Sequence, residues 1–352
     1  MTANLPYFYF LEPTIQSYDW GNTDGIIQRF LYRRTSVAPA KMPMAELWQG
    51  DHPKSPSLIR PFLHNQNDTT TQDYTIALNE AILKNPAHFL GKLFSRGSTS
   101  LPFLFKILDA AKPLSIQAHP DKALAEKLHK SDPLHYPDSN HKPEIAISLN
   151  KVEAMAGFRP LADLQAEITR LPLLNKLFQV ENQRIDSTEV LRRVYSNLML
   201  SDSNQIESIS NELLNALNKI QTNDRDIWFR RLIEFYGNRD CGIFTIYLFN
   251  YITLNAGQAI FLDANQPHAY LKGEILECMA SSDNVVRGGL TSKFKDIPTL
   301  LSMLNYEAVV PKIILPTTRQ NSAGRAIYDT IAKEFQVSKI DAKNVAVQLQ
   351  PL

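Results

Sequence analysis

Cysteine is scarce. Only Cys241 and Cys278 occur in 352 residues, too few and too far apart for a Cys-x-x-Cys zinc site or a disulfide framework, so both read as small buried residues in a reduced compartment. Long apolar runs are missing as well: none reaches the roughly 18 residues needed to cross a bilayer. The opening Met1-Thr2-Ala3-Asn4-Leu5-Pro6 has no basic segment leading into an apolar one, so no secretory leader is expected and the cytoplasm is the expected location. Charge of one sign is not in excess either. Lys and Arg total 37 against 36 Asp and Glu, a net charge of +1. That balance removes the electrostatic case for nucleic acid or an acidic membrane, while a small anion held by a few local cations remains compatible. No Gly-rich nucleotide-binding run is present, which argues against a fused nucleotidyltransferase.

What is there is the composition of a globular chain, 44% hydrophobic and 21% charged, long enough for two or three structural units and for an enzyme. Up to about residue 150, short apolar segments broken by Pro, Gly, Asn and Asp predict strands, among them Phe8 to Leu11, Leu58 to Phe62 and Leu101 to Leu108. Helices are expected at Ile76 to Leu83, at Leu90 to Phe94, and from Lys122 to Leu128 behind an Asp121 cap. From Leu161 to Leu232 apolar residues recur three and four apart, which predicts an all-helical insertion. Beyond Gly242 strands are expected again at Ile243 to Leu248, Ala259 to Leu262, Glu274 to Met279 and Ala308 to Leu315. The layout is a β-rich core interrupted by a helical lobe.

Three short runs carry chemistry. If Leu114 to His119 is a strand, Ser115, Gln117 and His119 share one face. In His141-Lys142-Pro143-Glu144 the proline opposes a helix, so Lys142 and Glu144 share a strand face and His141 turns away, towards substrate handling. Pro267-His268 adds a third arm. Gln117, His119, Glu144 and His268 form a nitrogen and oxygen donor set that suits a metal kept for chemistry, although each run taken alone equally fits a solvated strand face. Arg287 precedes Gly288-Gly289, where the backbone can turn sharply or approach a ligand, and Arg287 can hold an anion or a developing negative charge. Lys106 lies unusually deep in the apolar run Phe103 to Leu108, and Lys293 follows the Arg287 cluster.

Together these segments resemble the type I mannose-6-phosphate isomerase, or phosphomannose isomerase, family. Its signature Tyr-x-Asp-x-x-His-Lys-Pro-Glu stands as Tyr136 to Glu144. Further family-like runs are Tyr18 to Gly21, Ala45 to Pro53, Leu101 to Lys122, Ala156 to Arg159 and Pro267 to Lys293. The resemblance implies a mainly β fold with α, built of cupin-type jelly-roll barrels with an inserted helical domain. Its implied divisions are an N-terminal cupin over 1–158, the insertion over 159–240, a return of the catalytic β core over 241–315 and a shortened C-terminal β region over 316–352. It implies one Zn2+ held by Gln117, His119, Glu144 and His268. Arg287, Lys142, Asp283 and His141 would be catalytic, and Lys106, Ser115, Tyr270 and Lys293 would bind substrate.

The implied reaction is the interconversion of mannose 6-phosphate and fructose 6-phosphate through a cis-enediol, in mannose metabolism and the supply of GDP-mannose or in sugar catabolism. Lys142 would be the base, with a hydroxide on the metal as the competitor; His141 would assist ring opening; Lys106, then Lys293, would take the phosphate. A small sugar phosphate is the expected partner of a monomer, with no nucleic acid or membrane. Two alternatives stay open: a sugar-phosphate-binding cupin without turnover, and an iron-dependent cupin oxygenase. Family members generally continue through a complete C-terminal β domain, whereas this chain stops at Pro351-Leu352. Unpaired edge strands and lowered solubility are therefore expected.

Overall fold

Alternating burial along short strands and well-capped helices account for most of what the chain builds. The structure, a computed structural model, describes residues 9–35, 41–61, 75–180, 184–318 and 324–340. It divides into two units. The first takes Met1–Asp109, Glu274–Ser281 and Thr317–Leu352, and the second takes Ala110–Gly273 and Ser282–Pro316. Residues Val345 to Leu352, on which the expectation of an open C-terminal edge turns, lie outside the described residues.

In the first unit Thr14–Gln16, Glu46–Gln49 and Phe103–Ala110 pair antiparallel. Tyr9–Glu12, Leu58–Pro61 and Ile76–Ala77 form a second ladder, and Thr317–Thr318, Arg325–Tyr328 and Val337–Ile340 a third. Alternation along Phe103–Ala110 turns Leu104, Lys106 and Leu108 to one buried side. The depth of Lys106 in its apolar run follows from that phase. Directly across the ladder is Trp48, and the Lys106 ammonium sits 4.4 Å from its ring centre and 3.2 Å from Glu46 Oε2. Cation–π and ionic contacts together offset the cost of burying the charge.

In the second unit an antiparallel ladder runs from Phe249–Leu254 through Val152–Phe158 to the start of the long strand His268–Ala280, then to Ile116–Ala118 and Val286–Gly289. Glu144–Ser148 pairs with Ala259–Leu262. The helical lobe comprises Leu161–Arg170, Leu173–Phe178, Thr188–Leu200, Ser203–Leu217 and Asp224–Tyr236. Ser187 and Asp202 cap two of these helices, and Asn223 with Asp226 forms a capping box on the last. One core joins lobe and sheet: Leu164, Leu191, Tyr195 and Phe229 bury with Ile116, Ala118 and Phe158.

Four expectations need correction. Ile243 to Leu248 is helical, a 3-10 turn Cys241–Phe244 running into Thr245–Leu248. Every residue of this run is buried, so it carries no period to separate helix from strand, and Asp240 capping the Gly242 amide at 2.7 Å starts the turn. Ala308 to Leu315 makes only isolated bridges, at Ala308 and Ile314, because Pro311 lacks the amide hydrogen a ladder requires. The helix expected at Leu90 to Phe94 is split into Pro86–Leu90 and Lys92–Ser95 by Gly91, whose φ is +49°. The strand expected over Leu114 to His119 is confined to Ile116–Ala118.

Candidate metal centre

Ile116 and Ala118 are fully buried in the core shared with the lobe, so the two-residue period sends Gln117 to the opposite face. Its cross-strand neighbours are His268 on one side and Arg287 on the other. Cross-strand partners share a face about 5 Å apart, so His268, Gln117 and Arg287 form a row over three adjacent strands. His119 leaves the end of its strand, and Glu144 begins its own. His119, Glu144 and His268 are essentially inaccessible to solvent, and each offers one ligand atom within 4.8 Å of the other two.

Backbone carbonyls decide which imidazole nitrogens face the centre. His119 Nδ1 lies 2.8 Å from Asn284 O, and His268 Nδ1 lies 3.0 Å from Gln266 O. A carbonyl only accepts, so both Nδ1 atoms carry the proton and both Nε2 atoms present a lone pair. These lone pairs face the Glu144 carboxylate, His119 Nε2 at 3.3 Å from Oε1 and His268 Nε2 at 3.5 Å from Oε2. Acceptor faces acceptor. Among the described residues His119 Nε2 and Glu144 Oε2 are buried without a hydrogen-bond partner, an expensive state that a cation between them relieves. The donor set therefore fits a divalent metal.

Burial pushes the His119 imidazole down to about 4. For Glu144 burial alone would favour the neutral acid, but the adjacent Lys142 ammonium outweighs it and holds the carboxyl well below its usual range. Lys142 is buried, with Nζ 2.8 Å from Glu144 Oε1. Gln117 presents its amide nitrogen to His268 Nε2 at 3.3 Å. To offer its oxygen as a ligand, the amide must turn end for end.

Arg287 is half-buried, and its guanidinium makes no hydrogen bond or ion pair with any described residue. Burial lowers its pKa from the usual guanidinium range, and a partly desolvated, unpaired guanidinium is a ready anion site. The glycines after it act differently from expectation. A Cβ on Gly288 would meet Leu300 at 2.7 Å, and one on Gly289 would meet Asp240 Oδ1 and Gly242 Cα at 2.9 Å. They let this strand press against its own protein rather than a ligand.

The remaining predicted residues are spread around this centre or lie in the other unit. Tyr270 is buried two residues along from His268, with its ring centre 6.1 Å away. Ser115 precedes the Gln117 strand, and His141 precedes Lys142, both half-buried. Asp283 is half-buried, its amide donating to Asp138 Oδ2 at 2.8 Å. Lys293 is exposed. Lys106 belongs to the first unit, with Glu46 and Trp48. The sequence reading missed Asn284 and Gln266 as the carbonyls that set the two tautomers, since a backbone acceptor leaves no mark on residue type. It also passed over Asp138, whose only signal was its place in the 136–144 motif.

The catalytic-domain model of type I phosphomannose isomerase matches residues 8–161, and the helical insertion domain model of the same family matches 167–249. The chain is 38% identical over 360 residues to mannose-6-phosphate isomerase 1 of Arabidopsis thaliana, covering 97% of this chain and 80% of that one. It is 36% identical over 370 residues to the Homo sapiens mannose-6-phosphate isomerase, covering 99% and 85%. A crystal structure of a point mutant of phosphomannose isomerase from Salmonella typhimurium superposes with a TM-score of 0.80 at 32% identity, over 93% of this chain and 82% of that one. The mixed β fold with a helical insertion agrees with these matches.

Proposed function

The chain belongs to the type I phosphomannose isomerase family, and we propose that its buried His119, Glu144 and His268, joined by Gln117, hold a zinc ion for the isomerisation. The protein is an enzyme that interconverts mannose 6-phosphate and fructose 6-phosphate. The observation that carries the metal assignment is the pair of imidazole lone pairs aimed at one carboxylate in a site closed to water. Zinc, when bound, supplies a Lewis acid that favours negative charge on the substrate oxygens.

The chain's own residues divide the rest of the work. The reaction moves a proton from C2 to C1 through a cis-enediol, and the weak acidity of that C–H bond is the barrier. Lys142, beside Glu144, is assigned as the base: as the neutral amine it would take the C2 proton and return it at C1. Arg287, unpaired and in register with Gln117, holds the charge that grows on the enediolate oxygen. Asp283 and Tyr270 line the site with Ser115, His141 assists ring opening, and Lys106 and Lys293 are assigned to the phosphate. A sugar phosphate is the partner this chemistry needs, and the chain acts as a monomer. Among the described residues no helix is long and apolar enough to cross a membrane, and Cys241 and Cys278 are free thiols, which supports a cytoplasmic location.

The test is turnover of mannose 6-phosphate as purified, after chelation, and after zinc is restored. Loss and return with zinc is expected. Folded, zinc-loaded protein without turnover would overturn the reading and leave the binding-only cupin in its place. Turnover restored by ferrous iron and not by zinc would overturn the metal alone.

A further inference from the structure

The Asp138 carboxylate gathers four donors from two stretches of chain. Oδ1 accepts from the Asn140 amide at 2.9 Å, Ser282 Oγ at 2.8 Å and Asn284 Nδ2 at 3.1 Å, and Oδ2 accepts from the Asp283 amide at 2.8 Å. Asn284, fully buried, also donates Nδ2 to Asp138 O at 2.7 Å and to Asn140 O at 2.9 Å. Ser282 Oγ, held this way, accepts the Asn284 amide at 3.1 Å. Three consecutive residues, 282 to 284, are thus tied to one carboxylate. The carbonyl of the last of them is the acceptor that keeps the proton on His119 Nδ1.

We infer that Asp138 is a positioning residue for the His119 arm of the centre. It fixes the 282–284 loop so that the Asn284 carbonyl holds the His119 ring and tautomer with Nε2 turned to Glu144. This inference rests on the metal reading above and adds a residue that touches neither metal nor substrate. A carbonyl in a loop selects a tautomer only if the loop cannot drift, and the four donors on Asp138 are what stop it. Asp283 lies inside the clamped stretch, and the strand carrying Arg287 starts two residues after it, so the same carboxylate sets where that strand begins.

The test uses the full chain with two variants. In Asp138→Asn the amide end that donates must face either the Asp283 amide or the three donors on Oδ1, so at least one bond is lost. Ser282→Ala removes one bond and no charge. Zinc affinity is measured by competition with a chromophoric chelator, ligand geometry by the electronic spectrum of the cobalt(II)-loaded protein, and folding by melting of the metal-free protein. Outer partners of metal-binding histidines typically contribute about 10–100-fold in affinity. Asp138 acts through such an outer partner, so Asp138→Asn is expected to weaken zinc binding by the lower end of that range, about 10-fold, with an altered cobalt spectrum, and Ser282→Ala to move both measurements the same way by less.

Unchanged zinc affinity and an unchanged cobalt spectrum in both variants would overturn the inference even if melting fell, because Asp138 would then only close a loop. If Asp138→Asn does not fold, Ser282→Ala decides on the same two measurements. Failure of the unsubstituted protein to take up zinc or cobalt is a separate result that would remove the metal reading and this inference together.

Discussion

Replacing Arg170 with methionine should destabilise the helical lobe by about 3 kcal/mol. Arg170 makes a two-pronged contact to Asp226, Nη1 to Oδ2 at 2.9 Å and Nη2 to Oδ1 at 2.7 Å, and donates Nε to Glu167 Oε1 at 2.8 Å. Asp226 has no solvent exposure. Removing one partner of a buried ion pair costs about 3–5 kcal/mol because the other charge is left in low dielectric. The lower end applies here. Asp226 keeps Tyr247 OH at 3.1 Å and the Asn223 amide at 2.9 Å, and Glu167 keeps Arg159 at 2.9 Å. The assay is native-state hydrogen exchange of amides in Asp224–Tyr236, which reads opening of the lobe itself. A double variant, Arg170→Met with Asp226→Asn, removes both charges while leaving an amide oxygen for the Asn223 N–H and an amide N–H for the Tyr247 hydroxyl oxygen, and should recover at least half of the loss. A loss under about 1 kcal/mol in the single variant, or a double variant as poor as the sum of its parts, would show that the Arg170–Asp226 pair does not hold the lobe.

Gly289→Ala places a methyl 2.9 Å from Gly242 Cα and Asp240 Oδ1, where backbone must move, so a cost of about 1–3 kcal/mol is expected from overpacking; because Arg287 shares the strand, kcat should fall with it, and an unchanged melting temperature would contradict this. Lys106→Ala should raise KM for mannose 6-phosphate far more than it lowers kcat if this lysine takes the phosphate, and an unchanged KM removes it from that role. For Asp296, burial raises the pKa, but hydrogen bonds from Thr299 N at 3.0 Å and Tyr136 OH at 2.8 Å outweigh it and the net shift is downward. Its stabilising effect is therefore present above the unfolded aspartate pKa of about 3.9 and lost as pH falls through the lower folded value. Tyr136→Phe should separate from the parent in melting temperature at pH 7 and converge with it towards pH 3, whereas a gap that widens in acid would be incompatible.

The metal donors were legible because His119, Glu144 and His268 are side chains of distinctive type, in runs whose strand phase follows from simple alternation. The helical lobe was legible for the same kind of reason, since Leu164, Val190, Leu191 and Leu213 mark one face of each helix. Where period or residue type carries no information, the reading failed. Ile243 to Leu248 is buried on every side and so has no face to mark. The tautomers of His119 and His268 depend on carbonyls of Asn284 and Gln266, which any residue type would supply. Asp138 reaches partners more than 140 positions away, a contact that no local spacing encodes.

The same alternation that exposes the site also ties it to the lobe. Ile116 and Ala118 can bury against Phe158 and Tyr195 only if Gln117 points the other way, and in that register it lies between His268 and Arg287. A one-residue slip of this short strand would put Gln117 into the core and two apolar side chains into the metal centre. The apolar packing of the lobe thus selects the register in which the centre exists. With only three residues in that strand, its own ladder is too short to hold register unaided, so the packing of Ile116 and Ala118 fixes where Gln117 and His119 stand.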